Sequence, residues 1–246
     1  MKPYSGPVDL VVDFVKMRFP PTLIYSWDSK TPSEDLSNIV DGLSMASSTS
    51  VNWEIEILLK FAKVQKTNNT SAEARGIQSS GAKSAASYFI RQPDIGVCCV
   101  ITRDQPSLVG TMTACSDADV EVKYLNYIHR SLWKASGQRF FVGSCLISVG
   151  FIEHAGSTVK PCMEISYCAN EGDSDLDEQV ERTDEELDTI ALLIHKVAVD
   201  ILLANTASHA IPILTKALSA SSETKNRDVL VDSVGARARQ WLALVA

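Results

Sequence analysis

The sequence predicts an α+β fold: an antiparallel sheet with packed helices, followed by an all-helical C-terminal part. Three observations predict it. Val51, Trp53, Ile55, Ile57, Leu59 and Phe61 alternate with Asn52, Glu54, Glu56 and Lys60, and a period of two marks a strand with one apolar face. Two hairpin patterns follow between residues 95 and 168. Beyond Thr183 the apolar residues recur instead at helical spacing. Strands followed by a run of helices suggest α+β rather than alternating α/β units.

Residues 8–27 are apolar, with β-branched and aromatic content, and Pro20-Pro21 cuts them into two short strands or a helix–strand pair. Thr31-Pro32-Ser33-Glu34 then starts a helix: Thr31 can cap, Pro32 suits the first helical position, and Glu34 can close a capping box. Leu36, Ile39, Val40 and Leu43 give that helix one apolar face. Its successor is the strand 51–61, whose polar alternate positions imply a face turned to water. Lys66 to Ala86 is rich in Ser, Ala, Asn and Thr and reads as a mobile loop.

Ile95–Thr102 and Leu108–Ala114 flank Arg103-Asp104-Gln105-Pro106-Ser107, a hairpin with a five-residue turn. Ser116 is expected to open a helix with Asp119 in the capping-box position, an apolar stripe at Tyr124, Leu125, Ile128, Leu132 and Trp133, and a stop at Gly137. A long strand is expected from Arg139 to Phe151, turning through His154 and Gly156 into Cys162–Cys168. Thr183-Asp184-Glu185-Glu186 is a second capping box. It opens a helix whose stripe is Leu187, Ile190, Ile194, Val197 and Ile201, widened by Leu193, Val199, Leu202 and Leu203. A helix apolar on most sides belongs in a core or an interface. Pro212 restarts a short helix. A last helix runs from about Asn226, with Leu230, Val231, Val234, Ala238, Trp241 and Leu242 facing inward.

The expected organisation is therefore a mixed core over 1–170 with its loop at 66–86, an acidic linker over 171–183, and a helical segment over 184–246. The net charge of −7 is unevenly spread. Glu171 to Asp188 holds ten acids and one base, Arg182, leaving about +2 for the rest. With no Lys/Arg run to neutralise phosphates, nucleic-acid binding is disfavoured though a local basic surface is allowed. The start Met1-Lys2-Pro3-Tyr4 has no signal-peptide pattern, and no segment is long and apolar enough to span a bilayer. An intracellular, cytoplasmic setting follows as the expectation, with free thiols at Cys98, Cys99, Cys115, Cys145, Cys162 and Cys168.

Chemistry-bearing motifs are scarce. There is no Gly-rich phosphate loop, no G-x-S-x-G, no H-E-x-x-H and no C-x-x-C. No metal, cofactor or catalytic residue is assigned. Asp173-Ser174-Asp175-Leu176-Asp177 opens like a calcium loop, but Glu178 and Asp184 stand where Gly and a bidentate Glu are required. Gly143-Ser144-Cys145 falls within the expected strand, so Ser144 and Cys145 read as sheet residues.

Ser116 through Phe151, a helix with Trp133 near its end and then Gly137-Gln138-Arg139-Phe140-Phe141 opening a strand, resembles the central part of rhabdovirus matrix proteins. The resemblance covers 116–151 only. It implies a viral structural protein that self-assembles beneath an envelope, hence a virion-associated location. The acidic charge, the lack of Tyr after Pro20-Pro21-Thr22, and the helical C-terminal part depart from that family, and no functional residue carries over.

The sequence thus favours a non-catalytic structural or assembly protein, acting as a homo-oligomer or on a protein partner. Its expected interface is Leu187, Ile190, Ile194, Val197, Ile201 and Trp241. Two alternatives stand beside it. One is an enzyme assembled from distant residues, with His129, His154, Glu153 and Glu164 as acid/base candidates. The other is a nucleic-acid-binding protein.

Overall fold

A computed structural model describes residues 20–47, 49–62, 86–104, 109–116, 118, 127–168, 183–206, 213–214 and 234–245. Among them the chain forms nine strands and three helices. In order these are β1 (Thr22–Ser26), α1 (Pro32–Ala46), β2 (Ser50–Ala62), β3 (Ala86–Gln92), β4 (Val97–Thr102), β5 (Val109–Ala114), β6 (Tyr127–Val142), β7 (Cys145–His154), β8 (Ser157–Tyr167), α2 (Asp184–Asn205), β9 (Ile213–Leu214) and α3 (Val234–Val245). The strands make one sheet in the order β5-β4-β3-β2-β6-β7-β8-β1-β9. Every neighbouring pair described is antiparallel.

The sheet curls into a half-barrel, and its contacts require the curl. Gln92 of β3 and Glu164 of β8 both hydrogen-bond the Arg237 guanidinium of α3. Four strand spacings of about 4.8 Å would hold those strands roughly 19 Å apart in a flat sheet. The bend is eased where β6 meets β7. Gly137 pairs with Gly150, and a Cβ on either would stand 2.0 Å from a carbonyl oxygen of the facing strand. Only glycine permits the backbones to close so far.

Each face of the sheet carries a buried apolar cluster. The inner face carries Trp53, Ile55 and Ile57 of β2, Ile90 of β3, Cys99 and Ile101 of β4 and Cys162 of β8, packed against Val234, Ala238, Trp241 and Leu242 of α3. The outer face carries Tyr25, Phe140, Ile147, Val149, Met163 and Ile165, covered by Ile39 and Leu43 of α1 and Ile194, Ala198 and Leu202 of α2. Pro32 sits in the first turn of α1, but Thr31 makes no side-chain cap. Ser29 ties the helix start down from outside, accepting from the Thr31 N–H and donating to Asp35. At α2 the expected box is complete: the Thr183 hydroxyl accepts from the Glu186 N–H, and the Glu186 carboxylate accepts from the Thr183 N–H.

This architecture corrects the expected fold class. Among the described residues the chain is mostly one curled sheet with three helices, not a sheet followed by an all-helical C-terminal part. Ile213–Leu214, read as the restart of a helix, pairs with β1 as β9, and α3 fills the inside of the sheet. The helix expected between Ser116 and Gly137 fails over its second half. Cys115, Ser116 and Ala118 are helical, yet Tyr127–Val142 is a single strand. Its residues pair with β2 and β7 on both sides, and tertiary pairing overrides a local helical pattern. The strand expected over 139–151 is two strands. Gly143, at φ +58, turns the chain between them. The last helix begins at Val234 among the described residues. Residues 8–19, the loop 66–85 and the linker 171–182 lie outside them.

Gly137→Ala is expected to lower unfolding free energy by about 3 kcal/mol through overpacking. Gly96→Ala, in open space at φ +70, should cost only about 1 kcal/mol for its left-handed backbone. Urea titration of both variants checks the difference.

Candidate functional site

The inner face of the half-barrel gathers the strongest polar cluster among the described residues. Arg237 is at its centre, 1% exposed. It donates to both oxygens of Glu164 at 3.1 and 2.8 Å, to both oxygens of Asp94 at 3.1 and 2.9 Å, and to the Gln92 side-chain carbonyl at 3.0 Å. Arg139 of β6 adds a second cation, 2.9 Å from Asp94 and 3.6 Å from Glu164, and donates to Ser148. The Trp241 indole N–H donates to Glu164 at 2.8 Å. Two guanidiniums and two carboxylates neutralise one another, which is the condition for burying such charges at all.

The same contacts set the proton affinities of the cluster. Burial alone would raise the Asp94 carboxyl; the charges and hydrogen bonds of Arg237 and Arg139 outweigh it and hold Asp94 below the usual carboxylate range. Burial also opposes the charge on Arg237, yet Glu164 and Asp94 raise its pKa. One turn on, Gln240 reads the backbone of β1: its carbonyl accepts from the Ile24 N–H at 3.1 Å and its amide donates to the Thr22 carbonyl at 2.9 Å. An amide side chain thus stands in for a neighbouring strand along an edge that β9 covers only at Tyr25 and Ser26.

The acid/base candidates are not brought together. Glu164 is committed to Arg237 and Trp241. Glu153 and His154 lie at the far end of β7, and His129 is a β6 residue opposite Lys60 of β2. His154 has a partner of its own. Its Nε2 lies 2.6 Å from Ser131 Oγ, and its ring stacks on Trp133 at 4.0 Å. Among the described residues no group of three or more His, Cys, Asp or Glu is placed to hold a metal. Burial pushes the thiols of Cys98 and Cys99 up to about 12, and those of Cys145 and Cys162 upward as well. They are neutral, poorly nucleophilic groups at pH 7.

The expected interface residues face inward in this chain. Ile194 and Trp241 are 0% exposed, and Leu187, Ile190, Val197 and Ile201 pack at the edge of the outer cluster. Among the charged and polar residues that α2 turns to solvent stand three leucines, Leu192, Leu193 and Leu203, at 72%, 43% and 51% exposure. Sequence reasoning missed Gln92, Asp94, Arg139, Arg237 and Gln240. Arg237 carried a signal: it falls with Val234, Ala238 and Trp241 at helical spacing on the apolar stripe of α3, where a cation demands buried acids.

No family model matches this chain, and no curated protein matches it. Several solved structures share its outline at low similarity. The PH1819 protein of Pyrococcus horikoshii is 9% identical over 74% of this chain and 90% of its own, with a TM-score of 0.36. The PH1012 protein of the same organism is 11% identical over 79% and 94%, at 0.36. A chain of the Schizosaccharomyces pombe Mediator head module is 9% identical over 74% and 94%, at 0.34. Likenesses at this level assign neither family nor activity. Among the described residues no helix is long and apolar enough to cross a membrane.

Arg237→Ala leaves the buried Glu164 and the partly covered Asp94 without their main counter-charge, and a loss of about 3–5 kcal/mol of stability is expected. Arg237→Lys should recover only part of it, because an ammonium cannot span two carboxylates bidentately. Because the folded pKa of Asp94 is depressed, its contribution is complete above the ordinary carboxylate pKa and is lost as pH falls through the folded value. Thermal midpoints measured from neutral to acid pH should therefore fall in the acid limb, and fall less steeply in Asp94→Asn.

Proposed function

We propose that this protein is a non-catalytic assembly module that acts by self-association or by binding a protein partner. The observation that carries the reading is the outer surface of α2. One side of that helix supplies Ile194, Ala198 and Leu202 to the core, while Leu192, Leu193 and Leu203 stand in solvent on the other. Three large apolar side chains left in water along one helix are what an interaction surface would cover. The inner face supports the same reading from the opposite direction. Its polar groups converge on one another and on α3, so the barrel interior is occupied by the chain itself.

Light scattering of the purified chain over a range of concentrations tests this. A mass above 26.8 kDa that persists at high salt is expected, because apolar contacts are not screened. Leu192→Asp should return the mass toward that of one chain, with folding stability within about 0.5 kcal/mol of wild type, as for an exposed position. A single-chain mass at every concentration, with Leu192→Asp indistinguishable from wild type, overturns self-association.

One observation favours an enzyme instead: Ser131 and His154 lie at the distance of a nucleophile and its base, with the imidazole held by Trp133. A serine-directed fluorophosphonate that labels the wild type and spares Ser131→Ala would establish this second reading. Absence of labelling in both ends it.

A further inference from the structure

The exposed side of α2 is written twice, once in each direction. Leu192, Lys196, Val199 and Leu203 recur at spacings of four, three and four, which places them on one helix face. Leu193, Asp200 and Ala204 flank them. Along the axis the order is two leucines, Lys196, Asp200, then Leu203 and Ala204. Reversing the helix about position 198 exchanges Lys196 with Asp200 and Leu193 with Leu203. A two-fold interface uses the same patch on both subunits, so it must be self-complementary in this sense.

Leu192, Lys196, Asp200 and Leu203 are all exposed. Lys preceding Asp at i, i+4 is the less favourable order for pairing within one helix, and both side chains face solvent, within reach of a second molecule. Met45, 90% exposed at the end of α1, adds apolar surface on the neighbouring helix; α1 touches α2 where Gly42 meets Asn205. Two central charges make this face a poor one to bury in lipid, and their reciprocal placement fits a copy of itself better than an arbitrary helix.

We infer that two copies of this chain pair through antiparallel α2 helices, with Lys196 of each opposite Asp200 of the other and Leu192 and Leu193 against Leu203. This inference rests on the assembly reading and names its partner. A single helix face is smaller than the roughly 1,200 Å² of a standard interface, so a reversible dimer is expected.

The test is sedimentation equilibrium on the full chain and on two exposed-site variants, Lys196→Asp and Asp200→Lys. In each variant alone, like charges meet at both ends of the seam, and the dissociation constant should rise by at least about tenfold. Mixed in equal amounts they present opposite charges at both positions, and the mixture should dimerise as wild type does. Unchanged thermal midpoints show that folding is intact. If wild type dimerises and both variants dimerise equally well alone, the antiparallel α2 seam is overturned while self-association stands. If wild type and the mixture are single chains throughout, the seam and self-association fail together.

Discussion

One guanidinium sets the shape of this protein. Arg237 accepts the company of Gln92 from β3, Asp94 from the turn after it and Glu164 from β8. Strands that lie four places apart in the sheet can meet one side chain only if the sheet wraps around it. The other features of the inner face follow. Gly137 and Gly150 are needed where the wrap is tightest, Trp241 tilts against Trp53 at 5.5 Å, and the edge of β1 is brought within reach of Gln240. The last helix is thus a structural element of the barrel, although it is the last in the chain.

That long-range dependence explains what the sequence disclosed and what it hid. Signals confined to a few residues were readable: Pro32 at a helix start, the Thr183–Glu186 box, the period of two through Trp53, Ile55 and Ile57. Signals that depend on distant partners were not. Glu164 and Ser166 alternate with Met163 and Ile165, which reads as a wet face beside a dry one, yet all four are buried. The polar side is dry because α3, about seventy residues later, lies on it. Residues 127–136 look helical by spacing and are strand because β2 and β7 flank them. The residues read as an interface sit on the core-facing sides of their helices for a related reason. A stripe of apolar residues on a helix identifies the core-facing side first, and what is left to solvent is the weaker, interrupted stripe through Leu192 and Leu203.

The two faces of α2 also differ in what they do for the fold. Ile194, Ala198 and Leu202 hold the helix to the sheet, with Thr206 closing its end through the Leu202 carbonyl. Substitutions on the opposite side touch none of these contacts. Residues on the solvent side of such a helix can change while the core remains fixed, so a surface can vary on a constant scaffold.

The buried charges serve geometry more than stability. Paired charges in a core often contribute no more than apolar residues of equal volume, because each must first be stripped of water. What an apolar substitute could not supply is position. Residues 237, 240 and 241 occupy about one turn of α3 and each has a directional partner: two carboxylates, a strand backbone, and one of those carboxylates again. A shift of the helix by a single residue would rotate it by about 100° and break all three at once. An apolar helix in an apolar trough would have several nearly equivalent seats. The Arg237 network leaves one, and with it one curvature for the sheet and one orientation for the outer helices that the sheet carries.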